Sequence, residues 1–210
     1  IHGRGAFAFA HDFTVLGGAM GEMQGMKVKR IQELAMDAGV PLIGLNDSGG
    51  GRIQEGPATS YGAIFFNNVM ASGVIPQISA IMGPCAGGTV YSPALTDFIM
   101  MNQSTSYMFV TGPKVVKTVT GEEVSQEQLG GASVHAAKSG VAHFVSENEE
   151  EGIATLRKLL GFLPSNNMED APLAVCTDKI TRLEDSLNEI IPDSANKPYD
   201  MAEVIRAIVD

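Results

Sequence analysis

A chain of 210 residues has room for one domain with a sizeable core, or for two small ones. Its 44% hydrophobic and 18% charged residues exclude a disordered chain, and a net charge of −10 excludes the basic footprint of a nucleic-acid binder. The longest apolar runs fall far short of a membrane span. Cys85 and Cys176 stand far apart, without metal-ligand spacing or a disulfide framework, which points to a reducing, cytoplasmic setting.

The chain opens at Ile1-His2-Gly3-Arg4, without Met or a targeting segment, as if entering midway through a β-hairpin. Residues 5–10 alternate with period two and predict a strand. Residues 21–38 predict a helix, with Met23, Met26, Ile31, Leu34, Ala35 and Ala38 at helical spacing, stopped by Gly39 and Pro41. Residues 41–45 read as a short buried strand and 46–60 as a polar, Gly-rich loop. A second helix over 61–72 places Ile64, Phe65, Val69 and Met70 on one side. Residues 76–82 form another buried strand, followed by a Gly-rich turn and a helix to Leu95. Residues 98–101 and 107–110 read as strands. Residues 147–160 read as a helix whose acidic first turn, with Arg157 and Lys158 near its end, suits its dipole. Residues 164–198, rich in Asn, Asp, Pro and Ser, read as an extended surface linker, and 201–209 begin something new, a helix-like stretch without a C-cap. Alternating strands and helices make the chain α/β. Its abrupt ends suggest a piece of a longer polypeptide.

Two strands each begin at a proline and run into a glycine cluster: Pro41 into Gly49-Gly50-Gly51, and Pro76 into Gly87-Gly88. Glycine at a strand exit lets the backbone approach a ligand and turn its N–H groups outward. Two such turns on neighbouring strands can converge on one oxygen and form an oxyanion hole from main chain alone. Both can equally be plain tight turns. Asp47-Ser48-Gly49-Gly50 matches the nucleophile region of trypsin-like proteases, but those are all-β and usually disulfide-linked, and no histidine is singled out as a partner. Gly49-Gly50-Gly51-Arg52 lacks the Gly-Lys-Ser/Thr of a phosphate-binding loop. His2, His11, His135 and His143 show no metal spacing and read as packed or surface residues. Cys85 reads as a small buried thiol.

Longer motifs carry a resemblance. Asp12-Phe13-Thr14-Val15-Leu16-Gly17-Gly18, Asn46-Asp47-Ser48-Gly49-Gly50-Gly51-Arg52-Ile53-Gln54-Glu55-Gly56 and Met82-Gly83-Pro84-Cys85-Ala86-Gly87-Gly88 resemble the carboxyltransferase subunits of biotin-dependent acyl-CoA carboxylases. So do Tyr91-Ser92-Pro93-Ala94, Phe109-Val110-Thr111-Gly112-Pro113, Thr120-Gly121-Glu122-Glu123-Val124 and Leu129-Gly130-Gly131-Ala132. The family includes propionyl-CoA carboxylase β subunits, methylmalonyl-CoA decarboxylase α subunits and a transcarboxylase subunit. Residues 160–172 and 197–201 are most similar to the decarboxylase branch.

The resemblance implies a crotonase-like fold of the ClpP/crotonase type, a spiral of β-β-α turns. Residues 1–163 would be the N-terminal carboxyltransferase domain, incomplete at its start. Residues 164–210 would be a linker and helix leading to a C-terminal carboxyltransferase domain. In the family, acyl-CoA sits against the first domain, and carboxybiotin reaches in against the second domain of another subunit. By position, the N–H groups of Gly51 and Gly88 match the family's acyl-CoA oxyanion pair. Gly50, Ala86, Gly87, Gly17 and Gly18 fall around the acyl-CoA, and no metal is implied. The implied reaction moves a carboxyl group between biotin and propionyl-CoA or methylmalonyl-CoA through a thioester enolate, with the released biotin ureido nitrogen taking the proton. Implied partners are a biotin carboxyl carrier protein, biotin carboxylase or membrane decarboxylase subunits, and further copies of the chain, in the cytoplasm or held at a membrane through those partners. Alternatives are the decarboxylase α subunit of a sodium pump, a non-catalytic CoA-binding fragment, and a crotonase-type serine peptidase using Ser48. The chain departs from the family with Gly51 in place of a usual Ala, with Ala19 and Gln24 in place of Ser and His, and with a loop two residues shorter between Glu55 and Tyr61.

Overall fold

The computed structural model describes residues 1–55, 58–179 and 181–209, with 58 and 59 described by backbone alone. It divides into two compact units, Ile1–Pro172 and Leu173–Asp210. The first unit is built on a six-stranded sheet ordered β1-β2-β3-β4-β6, with β5 also paired to β3. The strands are β1 (Phe7–Ala10), β2 (Leu42–Ser48), β3 (Gln77–Ala86), β4 (Phe98–Asn102), β5 (Tyr107–Phe109) and β6 (Phe144–Ser146). Every pairing in it is parallel.

The hairpin expected at the start is replaced by a parallel crossover. Helix α1 (Glu22–Ala38) carries the chain back along the sheet, so β1 runs beside β2 from Phe7↔Leu42 to Ala10↔Leu45. The opening turn instead serves the end of helix α7 (Glu149–Leu160). Arg4 donates to Leu163 O at 2.6 Å and to Leu160 O, where the carbonyls at a helix end lack partners. As the sequence predicts, Gly39 ends α1 in the left-handed region (φ 61°), with its N–H on Ala35 O and Met36 O.

Inward faces differ from the apolar stripes of the sequence. On α1 the buried residues are Gly25, Val28, Gln32 and Ala35, while Met23 and Met26 are exposed. Gly25 faces inward because the Ser60 side chain lies 2.3 Å from where a Cβ would stand. On helix α2 (Ala58–Ala71) Tyr61, Ile64, Asn68 and Ala71 are buried at helical spacing, and Val69 and Met70 face out. Asn68 is tolerated inside because it is fully paired. Its Nδ2 donates to Gln77 Oε1 at 2.9 Å, its O accepts from Gln77 Nε2 at 2.9 Å, and its Oδ1 accepts from Ser92 Oγ at 2.9 Å.

The strand expected over 41–45 runs on to Ser48, and the one expected over 76–82 runs on to Ala86, because polarity and glycine content conceal both strand ends. Helix α3 (Gly88–Ala94) follows as predicted. Between Val110 and Glu147, where the sequence offers motifs and no clear periodicity, lie α4 (Pro113–Thr120), α5 (Gln126–Gly130) and α6 (Ala132–Val134), before β6. A capping box opens α5, with Ser125 Oγ accepting from Gln128 N–H and Gln128 Oε1 from Ser125 N–H. Residues 164–172 belong to the first unit: Asn166 Nδ2 donates to Gly39 O at 2.7 Å and Asn167 N–H to Val74 O at 2.9 Å.

Among the described residues four buried clusters form the core, two of them the larger ones built on the sheet. One joins Ile81, Cys85, Ile99, Met101 and Met108; the other joins Ile43, Ile78, Met100, Leu156 and Leu160. The second unit holds α8 (Leu187–Ile190) and α9 (Met201–Ile208), and Arg182 ties the segment before α8 to α9: it pairs with Asp178 and Glu184 and donates to Ala207 O at 2.9 Å. Asp200 caps α9, and Val209 N–H bonds Ile205 O at 2.9 Å. Among the described residues, no helix is long and apolar enough to cross a membrane.

One buried histidine makes stability pH-dependent. His11, just past the end of β1, is edge-on to Phe9, and burial lowers its pKa from 6.5 to about 4. Above pH 6.5 both folded and unfolded chains hold it neutral, so it adds no pH dependence there. From pH 6.5 down to about 4 the unfolded chain gains a proton that the folded chain refuses, and stability falls. The loss approaches about 3 kcal/mol, at about 1.4 kcal/mol for every tenfold change in proton affinity. Urea unfolding across pH 4–7 should show this slope in the parent chain and not in His11→Phe. Equal slopes in both would contradict a buried, neutral His11.

Candidate active site

The two glycine clusters predicted at strand exits come together. β2 and β3 are neighbours, and Ser48 stands opposite Cys85. Beyond it, a Cβ on Gly50 would lie 3.1 Å from Ala86 O. Thr89, one residue past the second cluster, ties the two exits together: its Oγ1 donates to Ala86 O at 2.8 Å and reaches Ser48 O at 3.2 Å. Gly50 and Gly87 turn the chain with φ of 114° and 57°, conformations in which a Cβ is strained. Gly17 and Gly18 also lie here, since Gly49 N–H donates to Gly17 O at 2.9 Å. All seven glycine and alanine positions singled out from sequence therefore fall in one neighbourhood.

The direction of the backbone donors follows from the bonds around them. Met20 bridges Gly51 in parallel fashion: Met20 N–H donates to Gly50 O at 2.8 Å and Arg52 N–H to Met20 O at 2.9 Å. In such a bridge the flanked residue turns its own N–H to the opposite side. Gly51 N–H thus points away from Met20, with no acceptor among the described residues. Gly88 is the first residue of α3, and the first N–H groups of a helix have no partner within it. The preceding donor, Gly87 N–H, is engaged by Val110 O at 3.1 Å. The site thus has two main-chain donors, one from each strand exit.

The side chains nearby are unsuited to nucleophilic work. Ser48 is fully buried, and its Oγ accepts from Gly50 N–H at 3.3 Å, which argues against its use by a peptidase. Burial pushes the Cys85 thiol up to about 12, far from a reactive thiolate. Burial, with help from Glu149 and Asp12, raises the Asp47 carboxyl above its usual range. The other histidines serve packing: His143 Nδ1 accepts from Ile99 N–H at 3.0 Å, His135 meets Met108 O and His2 meets Arg157 O. No cluster of three metal-ligating side chains exists among the described residues. The expected shortening between Glu55 and Tyr61 falls on Gly56 and Pro57, outside the described residues.

Two features have no signal in the sequence. An open groove of about 500 Å³ runs from Gly49 and Ala86 along Phe13, Pro84, Phe109 and Val115, with mainly apolar walls. Tyr61, which in sequence merely begins a helix, lies against the second turn: a Cβ on Gly88 would stand 2.6 Å from its ring. No local spacing marks either, because each joins residues from distant parts of the chain.

Residues 1–210 match the carboxyl transferase domain family over their full length. The chain is 62% identical to the methylmalonyl-CoA decarboxylase subunit alpha of Veillonella parvula and 54% identical to the propionyl-CoA carboxylase carboxyltransferase subunit of Haloferax mediterranei. Each match covers all of this chain and 42% or 41% of the relative, so the chain spans about two fifths of those proteins' length. Among solved structures, transcarboxylase 12S, described as a hexamer with methylmalonyl-CoA bound, superposes with a TM-score of 0.91 at 48% identity. That match covers all of this chain and 41% of the transcarboxylase chain. The likeness makes the sheet and its helices the crotonase-like α/β fold expected from sequence.

The contact between Gly88 and Tyr61 generates a stability test. Gly88 is not among the glycines with positive φ, so Gly88→Ala is limited by the ring and not by the backbone. It should destabilise by about 1–3 kcal/mol through overpacking. Combining it with Tyr61→Leu should recover part of that loss, measured by urea unfolding in a double-mutant cycle. A neutral Gly88→Ala, or strictly additive effects, would contradict the contact.

Proposed function

Because the chain belongs to the carboxyl transferase domain family, we propose that it forms the acyl-CoA side of a biotin-dependent carboxyltransferase acting on propionyl-CoA or methylmalonyl-CoA. The observation that carries this reading is the pair of main-chain N–H groups on Gly51 and Gly88, without an acceptor among the described residues, at strand exits that Thr89 ties together. The groove beginning at Gly49 and Ala86 fits a thioester, with apolar walls and a volume in the range of small-molecule sites. Biotin, on a carrier protein, supplies the transferable carboxyl group, and no residue of this chain is assigned to it.

The role of this chain's residues follows from where charge develops. Loss of a proton or of CO₂ from the carbon beside the thioester places negative charge on the thioester oxygen. Two fixed N–H donors aimed at that oxygen stabilise it, each by about 3 kcal/mol as in other oxyanion holes. Carboxylation and decarboxylation share this enolate, so the same pair serves both directions. Gly50, Gly87 and Ala86 shape the turns around the thioester, and Gly17 and Gly18 brace the first exit. No side chain is assigned as base, consistent with a buried Ser48, a buried Cys85 and no partnered histidine nearby.

Within this reading the decarboxylase branch is favoured by the 62% identity to the Veillonella parvula subunit. The partners are a biotin carboxyl carrier protein, biotin carboxylase or membrane decarboxylase subunits, and further copies of the chain. Exposed Met23, Met26, Phe66, Val69 and Met70 support association between copies. The setting is cytoplasmic.

The test is removal of a donor without change of shape. In the carboxyltransferase that carries this chain, Gly51→Pro should lower kcat by about 10²–10³-fold, the scale of a lost oxyanion donor. Gly51→Ala, which keeps the N–H, should stay near the parent. Circular dichroism and oligomer size must match the parent. A folded Gly51→Pro enzyme with near-normal kcat would refute the donor role.

A further inference from the structure

Behind the Gly88 turn lies a small enclosed cavity walled in part by Phe9, His11, Asn46, Tyr61, Thr89 and Ser92. It offers about 10 Å³, close to the least room that one water requires, about 10–15 Å³. Its polar wall is not satisfied by the protein. Tyr61 is only 8% exposed, and its phenol oxygen, like both ring nitrogens of His11, is shut off from solvent without a partner among the described residues. Buried polar groups in folded proteins are nearly always paired, with ordered water where protein is out of reach.

The neighbouring hydroxyls suit such a water. Thr89 and Ser92 spend their hydrogens on Ala86 O and Asn68 Oδ1, which leaves lone pairs free to accept. Burial keeps His11 uncharged, so its ring offers one donor and one acceptor. Its backbone is fixed to the sheet by the bond from His11 N–H to Leu45 O at 3.0 Å.

We propose that this cavity binds a single fixed water between the Tyr61 phenol and a ring nitrogen of His11, and that Tyr61, so held, is a positioning residue for the Gly88 N–H. The Tyr61 ring occupies the space where a Gly88 side chain would lie, so its placement sets how far that turn can move. The water anchors the phenol to the end of β1. The positioning role rests on the reading of Gly88 as an oxyanion donor; the water site does not.

A high-resolution crystal structure of the 210-residue chain tests the water directly. One ordered water within about 2.6–3.2 Å of both Tyr61 Oη and a His11 ring nitrogen is expected, and it should be lost in Tyr61→Phe. A dry cavity, or a direct bond between the two side chains, would overturn the water site. In the carboxyltransferase that carries this chain, Tyr61→Phe should lower kcat about three- to tenfold at unchanged KM for acyl-CoA, the scale of one hydrogen bond. Tyr61→Leu should lower kcat further. Unchanged kcat in both folded variants would overturn the positioning role. Gly51→Pro run alongside separates the two readings: if it too leaves kcat intact, the oxyanion reading falls and takes the positioning role with it.

Discussion

β2 and β3 pair in register from Leu42↔Gln77 to Asn46↔Ile81, then slip, so that Ser48 faces Cys85. The slip sets two residues of β2 against four of β3, and such an irregularity changes which residues face each other beyond it. Past the slip, β3 gives up β4 and pairs with β5 at Pro84, Cys85 and Ala86. The Ala86 carbonyl then meets the Gly50 turn, and Thr89 can reach both exits with one hydroxyl. The contacts that join the two strand exits lie beyond this slip.

A site made from main chain has different requirements from one made of titrating side chains. It needs turns that only glycine adopts readily, as at Gly50 and Gly87, and rigid walls behind them. The walls here are tightly packed. Ser48 and Cys85 are fully buried under the turns, and the stacked rings of Tyr61 and Phe65 back Gly88. In the proposed oxyanion site, the side chains behind the turns would act by position and by exclusion of water.

Much of this is legible in the sequence, and the mismatches share a cause. Strand exits marked by glycine, the Gly39 stop and the helix over 149–160 are local signals, and local physics decides them. Asn46 and Ser48 resemble loop residues because they are polar. Both are buried strand residues, since Asn46 Nδ2 bonds Gly44 O and Ser48 Oγ takes the Gly50 N–H. Met23, Met26, Val69 and Met70 suit an inward face by their apolar character, whereas Gly25, Gln32 and Asn68 occupy the inner faces. There, close helix approach and the bonds of Gln32 Nε2 to Ile64 O and of the Asn68 amide to Gln77 and Ser92 outweigh hydrophobicity. The groove and the placement of Tyr61 against Gly88 depend on contacts between distant segments, which no single window of sequence records.

The central claim is that Gly51 and Gly88 present their N–H groups to one oxygen, and glycine-selective nitrogen-15 NMR observes those two groups directly. A non-reactive acyl-CoA analogue whose carbonyl mimics the thioester would be titrated into the labelled chain. The Gly51 and Gly88 amide protons should both move downfield and saturate together at one ligand concentration, while Gly87, already bonded to Val110 O, shifts little. Saturable binding that moves other glycines and leaves either Gly51 or Gly88 unchanged would contradict a shared oxyanion site.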